Sequence, residues 1–284
     1  YSYNNDFNSP RSYSDTERED FTSEDYKYLT QSNTNKSKSN FQMGFLEGSY
    51  EIDTLRLITF SAQLFGMGAN SDGIGTTQMR NALREHAYSY NQLSRSEHNQ
   101  SHLNATLDYQ RSFKKKGEYL TFSYRYGTSP NSAESHTDYA DILDYPYDES
   151  YLFNQFYDSE ARTDEHIFQL DYTNPINKMH SFDFGGKYIL RNNKSESDYY
   201  KRSVTQNDFY LDNRPESHYQ QTHNILAAYA DYMVKSKKLS AKAGVRYEHT
   251  FSDVKYDKMA EKNFSAGFDN IVPSVRFGYQ LAPS

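Results

Sequence analysis

The sequence has no cysteine, no tryptophan, only 7 prolines and no long apolar run. Without cysteine there is no disulfide framework and no thiolate metal site. The absence is compatible with an oxidising periplasm or outer membrane. A membrane-crossing helix needs about 18 or more consecutive apolar residues, and the most apolar stretches, 55–65 and 225–234, are too short and too mixed. An excess of basic charge is also missing. The net charge is −7 and the isoelectric point about 5.7, so nucleic acid is not an expected partner. Hydrophobic residues reach only 36% and mean hydropathy is −0.99, values that alone would suit a disordered chain.

The aromatic content argues otherwise. There are 28 tyrosines and 18 phenylalanines, and disordered chains are poor in aromatics. Residues 224–250 show how a polar chain can still be structured. Leu239, Ala241, Ala243, Val245 and Tyr247 share one parity, and Ser240, Lys242, Gly244, Arg246 and Glu248 share the other. Side chains alternate faces along a strand, so one face is apolar and the other charged. A lysine-rich turn joins this run to the preceding one, 225–234.

The same unit recurs. Leu46, Gly48, Tyr50 and Ile52 turn at Asp53-Thr54 into Ile58, Phe60, Ala62 and Leu64. Leu103, Ala105, Leu107 and Tyr109 turn at Lys114–Gly117 into Leu120, Phe122, Tyr124 and Tyr126. Phe168, Leu170 and Tyr172 turn at 174–178 into Phe182, Phe184, Gly186, Tyr188 and Leu190. Val275, Phe277, Tyr279 and Leu281 make a last strand, and residues 1–8 a strand stub. Between hairpins lie polar stretches, at 9–40, 67–98, 128–162, 192–218 and 251–267, which read as loops of roughly 15–35 residues. Short turns at one end and long loops at the other are the layout of an outer-membrane barrel, with turns in the periplasm and loops outside. Tyr109, Tyr124, Tyr126, Tyr172, Tyr188, Tyr232, Tyr247 and Tyr279 share the apolar parity, as interfacial girdles do. The expected fold is all-β: a transmembrane antiparallel β-barrel domain over 1–284, with about 9–10 strands present. A soluble β-rich binding domain remains the alternative. The chain begins at Tyr1 rather than Met and shows no signal peptide, so a piece of a larger barrel is expected, with no plug domain present.

Two short motifs carry a resemblance. The hairpin AAYADYMVKSKKLSAKAGVRYEHT, with Gly244-Val245-Arg246-Tyr247-Glu248, resembles the G-x-R-x-E element of TonB-dependent receptors, in particular the outer-membrane β-barrel family of the Bacteroidetes type. Ile271-Val272-Pro273-Ser274-Val275 is similar to that family's following strand opening. Such receptors are ~22-stranded barrels with an N-terminal plug. The resemblance implies uptake of a scarce solute, energised by a TonB complex through a plug outside this chain. It also implies outer-membrane lipid around the barrel, a surface lipoprotein partner, and a structural, lumen-facing role for Gly244, Arg246 and Glu248.

Chemistry-bearing residues are sparse. Arg246 and Glu248, two apart on one face, read as a lumenal charge pair or as contacts to a plug or solute. Asp138, Asp141, Asp144, Asp148 and Glu149 form an acidic loop without calcium-loop spacing. His98 and His102 lack the H-E-x-x-H pattern. Gly66, Gly68, Gly73 and Gly75 lack a phosphate-loop ending and read as a flexible turn. Met79, Leu83, His86, Ala87, Tyr90 and Leu93 would share one side of a loop helix. Asp164 and His166 share a strand face, so a self-contained barrel with surface hydrolase activity is a second functional reading. No G-x-S-x-G is present. The expectation is a non-enzyme with no cofactor and no metal, and with ligand contacts that the sequence does not locate.

Overall fold

The computed structural model describes residues 1–146, 152–204, 208–212, 218–236 and 238–280. These form one 12-stranded antiparallel sheet. In chain order the strands are β1 (Ser2–Asn8), β2 (Arg11–Glu19), β3 (Tyr28–Asp53), β4 (Arg56–Arg80), β5 (His86–Ser112) and β6 (Tyr119–Leu143). Then come β7 (Phe153–Pro175), β8 (His180–Ser203), β9 (Tyr210–Leu211), β10 (Tyr219–Lys235), β11 (Leu239–Tyr256) and β12 (Phe264–Tyr279). Ten lie along one path, β1-β3-β4-β5-β6-β7-β8-β10-β11-β12, while β2 adds to β3 and β9 to β8. The sheet is open, with edges at β12 and at β1 and β2. The stub at residues 1–8 is strand β1, and the four expected hairpins are present. Leu281 lies outside the described residues.

The register carries the apolar parity unbroken across the sheet. One row runs Tyr50–Ile58–Tyr109–Phe122–Leu170–Gly186–Ala228–Tyr247–Ile271 over nine strands. The row one residue away runs Ser49–Thr59–Asp108–Ser123–Gln169–Lys187–Ala227–Glu248–Asn270. A slip of one residue at any pair would have mixed the two faces. Exposure shows which face is convex: Leu170 is 48% exposed and Val245 49%, against 5% for Ile167 and 2% for Ala227 on the polar-parity face. The apolar side chains therefore point outward. Among the described residues only Leu152, Ile167, Ala227 and Val254 are buried hydrophobics. A soluble sheet would have put its apolar face inside.

The polar stretches expected as long loops are mostly strand. β4 continues to Arg80 and β5 begins at His86, so their joint is residues 81–85. The loop helix over 79–93 does not form, and Gly66, Gly68, Gly73 and Gly75 lie within β4 rather than in a turn. A strand near 25 residues is roughly 80 Å long at about 3.3 Å per residue, whereas crossing a bilayer takes about 9–11 residues. Most of each strand thus projects beyond the apolar band. Periodicity fails there because both faces are polar while the backbone ladder persists. Cross-strand hydrogen bonds take over, such as Thr76 Oγ1 to Asn91 Oδ1 at 2.9 Å and Thr163 Oγ1 to Asn193 Oδ1 at 2.8 Å.

Pro273 sits in the edge strand β12, where a missing N–H costs least. Pro130 lies in the interior strand β6. The β5–β6 pairing lapses between Gln100↔Asn131 and Leu103↔Thr128, beside it, because proline has no N–H to donate.

Hydrogen exchange distinguishes strand from loop in the disputed stretches. For the folded protein in detergent, amides of residues 131–137 and 155–161 should exchange as slowly as those of 103–109, while 54–55 and 114–117 exchange fast. Fast exchange throughout 131–137 and 155–161 would restore the loops.

Candidate functional site

The concave face of β7, β8, β10 and β11 gathers an interlocked group of charged and aromatic side chains. Register aligns Asp171, Gly185, Tyr229 and Arg246 in one row and Asp183, Asp231 and Gly244 in the next. Gly185 makes room for Tyr229. A Cβ there would lie 2.6 Å from the Leu170 carbonyl oxygen, 2.7 Å from Asp171 Oδ1 and 2.8 Å from Tyr229 Cε2. The Tyr229 ring crosses this gap and its hydroxyl donates to Asp171 Oδ1. On the other side of the ring, the Arg246 guanidinium carbon is 5.5 Å from its centroid, within cation–π range. Arg246 Nε donates to Glu248 Oε1 at 2.6 Å.

Asp183 and Asp231 are directly opposite, a pairing that like charges make unfavourable. Lys242 resolves it, with Nζ 3.2 Å from Asp231 and 3.5 Å from Asp183. Gly244 leaves the space the Asp231 carboxylate fills. Further along the same face Glu165 accepts from Arg191 Nε at 2.9 Å, with Arg125 3.9 Å away. The wall alternates in sign and its carboxylates are matched by cations or a phenol. This arrangement is suited to holding geometry and presenting charge.

At the far end of this face lies a tyrosine group. Tyr88 and Tyr90 stack at 6.4 Å, and Tyr139 and Tyr145 meet Tyr90 edge-on at 5.6 and 6.0 Å. Burial, then the neighbouring Tyr90 and Tyr145, pushes the Tyr139 phenol above its ordinary value, so it remains a protonated donor at neutral pH. On the opposite parity, above the apolar band, a trough with a cavity volume of about 640 Å³ opens where Pro130 interrupts the ladder, edged by Arg162, Lys194, Glu160 and Glu196.

The residues singled out from sequence fall in different places. Arg246 and Glu248 meet in an ion pair on the concave face beside Gly244. Asp164 and His166 share the convex parity but are held apart: Asp164 by Arg162 Nε at 2.7 Å, His166 by the Tyr124 hydroxyl at 2.9 Å. His102 bonds Ser129 and Asn104 rather than His98. The acidic stretch is partly strand. Asp138 faces Arg202 at 3.5 Å and Asp144 faces His86 at 3.5 Å, while Asp148 and Glu149 lie outside the described residues. Tyr229, Asp231, Asp171, Asp183 and Lys242 were not anticipated. Their alternation was visible, but their meeting depends on a register that joins strands up to 59 residues apart.

Residues 111–284, more than half of the chain, match the outer membrane protein beta-barrel family. Among solved structures, the unliganded ferric citrate transporter FecA is similar at 11% identity with a TM-score of 0.45. It covers 89% of this chain, and this chain spans 40% of it. The outer membrane protease OmpT from Escherichia coli matches at 12% identity and a TM-score of 0.27, over 98% of this chain and 96% of its own. No curated protein matches.

The fit between Gly244 and Asp231 can be measured by a double-mutant cycle. Gly244→Ala should cost about 1–3 kcal/mol in reversible unfolding, because the added Cβ displaces the Asp231 carboxylate from Lys242. In an Asp231→Ala background the same change should cost at least about 1 kcal/mol less. Equal costs in both backgrounds would mean the overlap is not with Asp231.

Proposed function

The chain belongs to the outer membrane protein beta-barrel family, and from that premise we propose that it forms part of the wall of a receptor that takes up a scarce solute across the outer membrane. Uptake would be energised by a TonB complex acting through a plug outside this chain, and a surface lipoprotein would assist capture. The observation that carries this reading is the strict separation of faces across nine strands, apolar and convex outside, charged and concave inside. From β4 to β11 lipid meets the first face over a ladder that is paired on both sides within the apolar band. The second face offers alternating charges to whatever occupies the lumen.

The two ends of the strands support a direction. Short turns close one end, at 54–55, 113–118 and 176–179, as periplasmic turns do. The other end extends far beyond the apolar band and carries the Tyr88, Tyr90, Tyr139 and Tyr145 group on the concave parity. Half-buried phenols with both an apolar ring and a donor suit the first capture of a solute from outside. The wall itself would supply no covalent chemistry. Asp164 and His166, the pair a surface hydrolase would need, are each committed to a different partner.

The decisive measurement is the intact mass of the mature polypeptide in the outer-membrane fraction. The receptor reading expects a mass tens of kDa above 33.2 kDa, as a plug and a ~22-stranded barrel require. A mature polypeptide near 33 kDa would overturn it.

A further inference from the structure

A group of potential metal ligands, which sequence spacing did not reveal, forms where β8, β10 and β11 end above the apolar band. Glu196 lies on β8, and the pairing Tyr219↔Ser195 sets His218 level with it. The backbone amide of Asp257 donates to the His218 carbonyl at 3.0 Å, which brings Asp257 into the same row. One ligand atom from each of Glu196, His218 and Asp257 lies within 4.8 Å of the others. We propose that Glu196, His218 and Asp257 form a surface site for a divalent transition-metal ion of the zinc class.

Three features favour a bound cation over a chance meeting of polar side chains. The first is orientation of the imidazole. His218 Nε2 is 2.8 Å from Asp198 Oδ1, and a carboxylate on one ring nitrogen is the usual support for a histidine that ligates through the other. The second is uncompensated charge. Glu160 is directly opposite Glu196, and Asp158 directly opposite Asp198, pairings that are unfavourable unless a cation intervenes. The cations at hand are Lys194, 2.7 Å from Glu196, and Lys258, 3.6 Å from Asp198. Against Asp158, Glu160, Glu196, Asp198 and Asp257 these two leave a balance of 2 − 5 = −3.

The third feature is ligand chemistry. A mixed imidazole and carboxylate set suits zinc, whereas calcium prefers six to eight oxygens. Metal bonds of about 2.0–2.2 Å place ligand atoms about 3–4 Å apart, which small side-chain rotations reach from the present separation. His218 and Glu196 are half-buried and Asp257 exposed, so an ion held here would keep positions open to solvent. Glu196 also edges the trough beside Pro130, and the open positions face ligands approaching above the lipid band. The site stands independently of the uptake reading.

The test uses the full-length protein in detergent, stripped of metal and titrated calorimetrically with Zn²⁺. Wild type should bind one equivalent that His218→Gln and Asp257→Asn both lose or weaken at least tenfold. Asp198→Asn, which touches no metal, should weaken it about tenfold or more, while His136→Gln, beside Glu134 elsewhere on the rim, should bind as wild type. Thermal unfolding of each apo variant controls for folding. Unchanged stoichiometry and affinity in His218→Gln would overturn the proposal. So would an equivalent that Ca²⁺ fills equally well in His218→Gln and wild type, since carboxylates alone would then hold it.

Discussion

Everything else in this structure depends on the antiparallel ladder keeping one register across adjacent strands. Side-chain direction has a period of two, so a single slipped residue between any pair would turn lysines and aspartates toward lipid and phenylalanines toward the lumen. The rows beginning at Tyr50 and Ser49 stay separate from β3 to β12, and that separation lets so polar a chain live in a membrane. Hydrophobic residues amount to 36% of the sequence because one face of part of each strand is enough. No packed core is needed, and scarcely any exists.

Register alone does not hold the concave face together. There the strands lock through shape as well as charge. Gly185 gives up its side chain so that Tyr229 can lie flat and reach Asp171, and Gly244 does the same for Asp231. Lys242 then stands between two aspartates that would otherwise repel. Each charge on this wall is tolerable only because of its neighbours, so the wall behaves as one unit rather than as separate residues. The same logic at the rim leaves carboxylates facing carboxylates.

How much was legible follows from where hydrophobicity alternates. The turns, read at 53–54, 114–117 and 174–178 and found within a residue or two at 54–55, 113–118 and 176–179, the apolar parity and the all-β membrane fold were readable, because within the lipid band each strand must carry an apolar residue at every second position. The strand extensions were not. In 128–143 or 192–203 serines, asparagines and charges occupy both faces, so alternation disappears although the backbone pairing does not. A stretch such as GMGANSDGIG reads as a turn by composition, yet it is strand β4, where Asn40, Ser94 and Asn33 fill the space above Gly68, Gly73 and Gly75.

By itself the sequence determined which residues face lipid and where the short turns fall, since both are local consequences of period-two alternation and turn chemistry. The tertiary structure decided which polar residues meet. Asp171 reaches Tyr229, and Glu196 lies level with His218 and Asp257, only because three strands align at one register. That alignment is set cooperatively by the whole ladder, and no local run of residues encodes it.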